Sequence, residues 1–225
     1  MNMLHRDQLP LGGFAGLTEH RLVVDQRVGG DSGTWNGLGN FVYLADAHFQ
    51  PHGETRMHPH KEIDVISVLV EGRIEHQGSL EHGQSLQTDQ AQAQRAGGEG
   101  FNHNEINPDS KHNRMIQLWV LPETRGEAAS YKLYNLAQNQ LTRIYGGVKH
   151  QRDTLDSHTI IEVGLLSAEQ AITKNTEFMA YITRGHGVLN GETVQDGDLV
   201  RGDHLDFNAL DDVQIIIITT DKTVA

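Results

Sequence analysis

The chain has 225 residues, 37% of them hydrophobic and 21% charged, the composition of a globular protein and not of a wholly disordered one. Its 18 Lys and Arg against 30 Asp and Glu give a net charge of -12, so its surface repels a phosphate backbone and direct nucleic-acid binding is disfavoured. Cysteine is absent, which excludes disulfides, thiolate ligands and cysteine nucleophiles together; any metal must be held by nitrogen and oxygen.

The first residues, MNMLHRDQLPLGGFAG, lack the basic start and continuous apolar stretch of a secretory signal. No apolar run reaches the roughly 20 residues of a membrane helix, so a cytoplasmic protein is expected. From there β-rich runs recur between Gly, Asn and Asp: HRLVVD at 20 to 25, FVYLADAHF at 41 to 49, IDVISVLV at 63 to 70 and MIQLWVL at 115 to 121. Many short strands with turn signals predict an all-β barrel or sandwich. Apolar repeats at helical spacing are confined to weak candidates at ASYKLYNLA and LLSAEQAI, so a few short helices at most are expected. The polar stretch from Pro122 to about Gln140 reads as a connection, dividing the chain into 1–130 and 131–225. Beyond it come TIIEVGLL at 159 to 166, FMAYITRGHGVLNGE at 178 to 192, DLVRG at 198 to 202 and VQIIIITT at 213 to 220, enough for a second barrel.

Two segments carry candidate chemistry. In MHPHKEID, His58 and His60 stand two apart, which in an extended chain directs both to one face, and Pro59 favours the extended conformation. In GGEGFNHNEINP, His103 and Glu105 repeat that spacing behind glycines that allow a sharp turn. If the two pairs converge, three imidazoles and a carboxylate bind one ion and leave two positions of a six-coordinate site open. HPH alone also fits a solvated turn, with His103 an ordinary polar residue near a loop. His76 and His82 lie on or beside the GRIEHQGSLEHG hairpin and are expected in solvent, as is His112; Trp119 is expected in the core. The second half has only the scattered His150, His158, His186 and His204, so its barrel is expected to be metal-free. Phosphate-loop and G-x-S-x-G elements are missing.

From about Asn40 to Leu121 the order HPHKEIDVISVLVEGRIEHQGS, GGEGFNHNE and QLWVLP resembles the pirin family. That resemblance implies a bicupin, two tandem cupin barrels of the double-stranded β-helix or jelly-roll type, with one divalent transition metal in the N-terminal barrel. The family's ligands fall on His58, His60, His103 and Glu105. Fe(II) is the foremost choice, and Mn, Ni, Co, Cu or Zn suit the same donors. Two departures stand out. Glu62 replaces a small residue and Asp64 the usual Glu, and QTDQAQAQRAG is polar where the family carries aromatic residues. Glu62 would reach the ligand face if its strand continued, as a ligand's partner, a fifth ligand or a gate; a surface carboxylate is the other reading.

The resemblance implies a quercetin dioxygenase that opens a flavonol ring with O2, with Glu105 as general base for the 3-hydroxyl proton. The alternative is a metal- or redox-dependent regulator that binds a protein partner. A monomer fits two barrels that shield their own interface.

Overall fold

The computed structural model describes residues 1–31, 33–80 and 83–221, and among them every regular element is a strand or a short 3-10 turn. The all-β expectation is borne out. The two candidate helical stretches are instead extended: Ser130–Asn135 is a strand, and LLSAEQAI runs from the end of Ser157–Leu166 through a turn into Ala171–Lys174. The first is drawn into a sheet by antiparallel pairing with Gln90–Arg95, a long-range contact that local periodicity does not encode.

Two compact units result. One holds residues 9–135 and the other holds residues 1–8 with 136–225. The sequence places the join near residue 130; the pairing of Ser130–Asn135 keeps that strand in the first unit. Asn2–His5 pairs with Asp198–Gly202, which ties the chain's first residues to the second unit.

In the first unit a seven-stranded sheet runs in the order Ser130–Asn135, Gln90–Arg95, Asp64–Glu71, Asn113–Val120, Phe41–Phe49, Leu17–Val24 and Leu11–Phe14. A four-stranded sheet follows the order His58–His60, Phe101–Ile106, Arg73–Gly78 and Ser85–Gln87. Strand alternation turns Leu17, Ala47, Phe49, Leu69 and Met115 of the large sheet onto Ile74 and Leu86 of the small one, forming an apolar plug. The same alternation also turns polar residues inward. Ser67, Gln92 and Gln94 are buried on the large sheet, and His76, His103 and Glu105 on the small one. The interior thus has an apolar part and a polar part, and the polar part carries the candidate site.

The second unit repeats the two-sheet plan with six and four strands. Its core gathers Phe178, Ile182, Val200, Phe207, Ile215 and Ile217, and the VQIIIITT run is buried through Val213–Thr219, which explains its continuous apolarity.

Candidate metal centre

The strand His58–His60 pairs with Phe101–Ile106 so that His58 lies opposite His103 and His60 opposite Phe101. Because side chains alternate, His58, His60 and His103 share one face, with Pro59 and Asn102 on the other. Gly100 opens the second strand at φ +77°, and a Cβ there would stand 2.8 Å from the His60 carbonyl oxygen. The glycine therefore allows both the turn and the close approach of the two strands.

The three rings converge on their Nε2 atoms. His103 Nε2 stands 3.0 Å from His60 Nε2 and 3.0 Å from His58 Nε2, and the candidate ligating atoms all lie within 4.8 Å of one another. Nitrogens at cis positions on one ion, each at an imidazole–metal bond of about 2.1 Å, stand about 3.0 Å apart. His58 Nδ1 lies 2.8 Å from the Arg56 carbonyl oxygen, to which it donates, so Nε2 is the ring nitrogen left to face the cluster. Burial, reinforced by His58, holds His60 down to about 4, and burial with the neighbouring rings pushes His103 further down. His60 and His103 are therefore neutral near pH 7, the form that binds a metal. The donor set fits a transition ion. Among the described residues no other group of three or more His, Cys, Asp or Glu converges in this way.

Glu105 follows His103 on the same strand face and is 0% exposed. Its carboxylate is not among the converging donors: Oε1 accepts from Ser67 Oγ at 3.1 Å and Oε2 from Gln117 Nε2 at 3.1 Å. Burial pushes it up to about 7 against those two hydrogen bonds. Each oxygen retains a lone-pair site, since a carboxylate offers about four.

His76, expected in solvent, is 2% exposed, and its Nε2 lies 2.9 Å from His103 Nδ1. The hairpin strand Arg73–Gly78 pairs with Phe101–Ile106, and alternation from buried Ile74 carries His76 inward. That period-two relation to Ile74 was the available signal. His82 lies outside the described residues, and His112 is exposed as expected. Trp119 faces inward but is partly exposed, stacked on Tyr43 at a centroid distance of 4.1 Å and edge-on to His60 at 5.7 Å. It forms a wall beside the cluster rather than part of the sealed core.

The two departures at the start of the long strand have structural uses. Glu62 adopts φ +53° between the strands that end at His60 and begin at Asp64, and its carboxylate accepts from the Gly126 amide at 3.1 Å. The strand does not continue through it, and its carboxylate is engaged by the Gly126 amide. Asp64 is fully buried and accepts from Arg95 Nε at 3.1 Å, while Arg95 Nη1 reaches Glu127 at 2.7 Å.

Two all-β units, one with a histidine cluster inside its two-sheet frame, define a bicupin. Within it, residues 25–120 match the family model described as Pirin, so the resemblance read from the sequence is borne out. A Pasteurella multocida protein provisionally named quercetin 2,3-dioxygenase is 38% identical over 77 residues, covering 34% of this chain and 33% of its own length. The quercetin 2,3-dioxygenase of Escherichia coli K12 is 26% identical over 148 residues, 63% of this chain and 64% of that protein. The fold matches the bacterial pirin YhhW of Escherichia coli, solved in complex with nickel(II), at a TM-score of 0.84 and 16% identity, covering 97% of this chain and 98% of that one. No helix among the described residues is long and apolar enough to cross a membrane.

Proposed function

We propose that the protein is a metal-dependent dioxygenase that opens quercetin or a related flavonol with O2. The observation that carries this reading is the convergence of three imidazoles on a strand face that also carries one buried carboxylate whose proton affinity is raised toward neutrality. The names of the relatives supply the substrate class. His58, His60 and His103 hold one divalent transition ion, Fe(II) foremost, and Glu105 is both its carboxylate ligand and the general base. The ion, when bound, supplies Lewis acidity toward the flavonol 3-hydroxyl and its neighbouring carbonyl, and coupling to dioxygen.

The chain's own residues do the rest. A carboxyl near 7 is matched to accept a phenolic proton at neutral pH, because a base works best close to the operating pH. Ser67 and Gln117 fix the carboxylate's orientation with one hydrogen bond on each oxygen. Trp119, Gln117 and His58 are partly exposed, so they border the side from which a planar aromatic substrate reaches the cluster, and the Trp119 indole offers it a stacking face.

The test is O2 consumption with quercetin after anaerobic reconstitution with each divalent metal. Turnover should require metal and should fall at least a hundredfold in Glu105→Ala. One ion per chain with no turnover on any flavonol would overturn the dioxygenase assignment in favour of a metal-dependent regulator.

A further inference from the structure

Behind the metal-facing atoms lies a chain of buried polar side chains, of which the proposed reaction uses Ser67, His103 and Glu105 but not Gln92, Gln94 and His76. Ser67, Gln92, Gln94, His76, His103 and Glu105 are each no more than 2% exposed, so they must satisfy one another. Their donors and acceptors follow in turn from Glu105. An ionised Glu105 only accepts, so Ser67 Oγ donates to it, at 3.1 Å. Ser67 Oγ then accepts from Gln92 Nε2 at 3.4 Å, while Gln92 Oε1 accepts from Tyr131 Oη at 3.2 Å. Gln92 Nε2 also reaches Gln94 Oε1 at 3.5 Å, which turns Gln94 Nε2 toward His76 Nε2 at 3.2 Å. An amide nitrogen donates and cannot accept, so His76 Nε2 carries no proton. His103 Nδ1, 2.9 Å from that same atom, must then be the donor.

We infer that Gln94 and His76 are positioning residues that fix the His103 proton on Nδ1 and so direct its bare Nε2 at the ion. The inference rests on the metal reading above and extends it to residues that touch no ligand position. Gln92 joins this relay to Ser67, so His103 and Glu105 are oriented by one buried network. The polar QAQAQR strand, the clearest departure from the family pattern, thereby acquires a use: it supplies the donors.

Substitution at Gln94 separates proton direction from charge and packing. Gln94→Met keeps the volume and removes the donor, and should weaken Ni(II) binding about tenfold, within the usual range for losing a ligand's hydrogen-bond partner. Gln94→Glu replaces a donor with an acceptor-only group, drawing a proton to His76 Nε2 and moving the His103 proton to Nε2. It should weaken Ni(II) more than the Met variant, although its negative charge alone would tighten binding. Ni(II) affinity in the Glu variant equal to or above wild type would overturn the inference. Should that variant fail to fold, the Met variant and the ring protons decide. Long-range proton–nitrogen NMR of the metal-free wild type at pH 8 should show His103 and His76 both protonated on Nδ1; a proton on His76 Nε2 would overturn the relay. The NMR result holds whether or not metal binds, so a wild type that takes up no Ni(II) would sink the metal reading while the relay is still judged.

Discussion

Replacing Glu105 by Gln should make the metal-free protein more stable at pH 8, the opposite of the usual outcome of altering a buried polar residue. Burial raises the folded-state carboxyl to about 7 from an ordinary 4.5. At about 1.4 kcal/mol for each tenfold step, that gap costs the folded state about 3 kcal/mol once the group is ionised. The sign follows from which state holds the proton. The folded-state proton contributes stability that is fully present below about 4.5 and is lost as pH rises through about 7. Gln cannot ionise and escapes that loss. Its amide must still meet both Ser67 and Gln117, and one imperfect hydrogen bond costs about 1 kcal/mol, leaving a net gain of about 2 kcal/mol at pH 8. Urea titration of both proteins in the presence of a chelator, at pH 4.5 and at pH 8, measures the difference; every other group is common to the two proteins and cancels. A difference independent of pH would refute the reasoning, because it would place the ionised carboxylate in an environment no less favourable than water. The stability given up is what a working base in a dry site requires.

Other consequences are open to simpler measurements. Arg114 makes a bidentate ion pair with fully buried Asp46, so Arg114→Met should destabilise by about 3–5 kcal/mol in urea by leaving that charge uncompensated, and Asp46→Asn combined with it should restore part of the loss. Gly100→Ala forces a side chain into φ +77° and against the His60 carbonyl oxygen; it should cost about 1–3 kcal/mol and weaken metal binding by displacing His60, both readable by thermal unfolding with and without Ni(II). In metal-free protein, His60 held at about 4 means that the unfolded chain takes a proton first as pH falls below 6.5. Stability attributable to that ring is therefore lost between 6.5 and 4, and metal should oppose the loss; acid unfolding midpoints that are unchanged by metal would contradict this.

The sequence made the local parts of this picture readable and left the long-range parts hidden. His58 with His60, and His103 with Glu105, were legible because spacing of two in an extended chain has only one geometric meaning. Their convergence depends on the pairing of His58–His60 with Phe101–Ile106, which spacing alone leaves open. His76 was misjudged because a polar residue on a hairpin is usually solvated, whereas this hairpin is covered by the facing sheet. Gln92 and Gln94 registered only as a departure from an aromatic pattern, since nothing local distinguishes a surface glutamine from one aimed inward. The role of Glu62 was left open between the ligand face and the surface, because a left-handed residue between two strands leaves no trace in composition. The return of Asn2–His5 to Asp198–Gly202 lies beyond any local signal.

The most direct test of the central claim is metal content after reconstitution and removal of free ions. Wild-type protein should retain one divalent ion per chain, His103→Ala and His60→Ala should retain none, and a His186→Ala control at the exposed pair with Asp211 should match wild type. Retention of the ion in both cluster variants, or none in the wild type, would contradict the assignment of the three histidines.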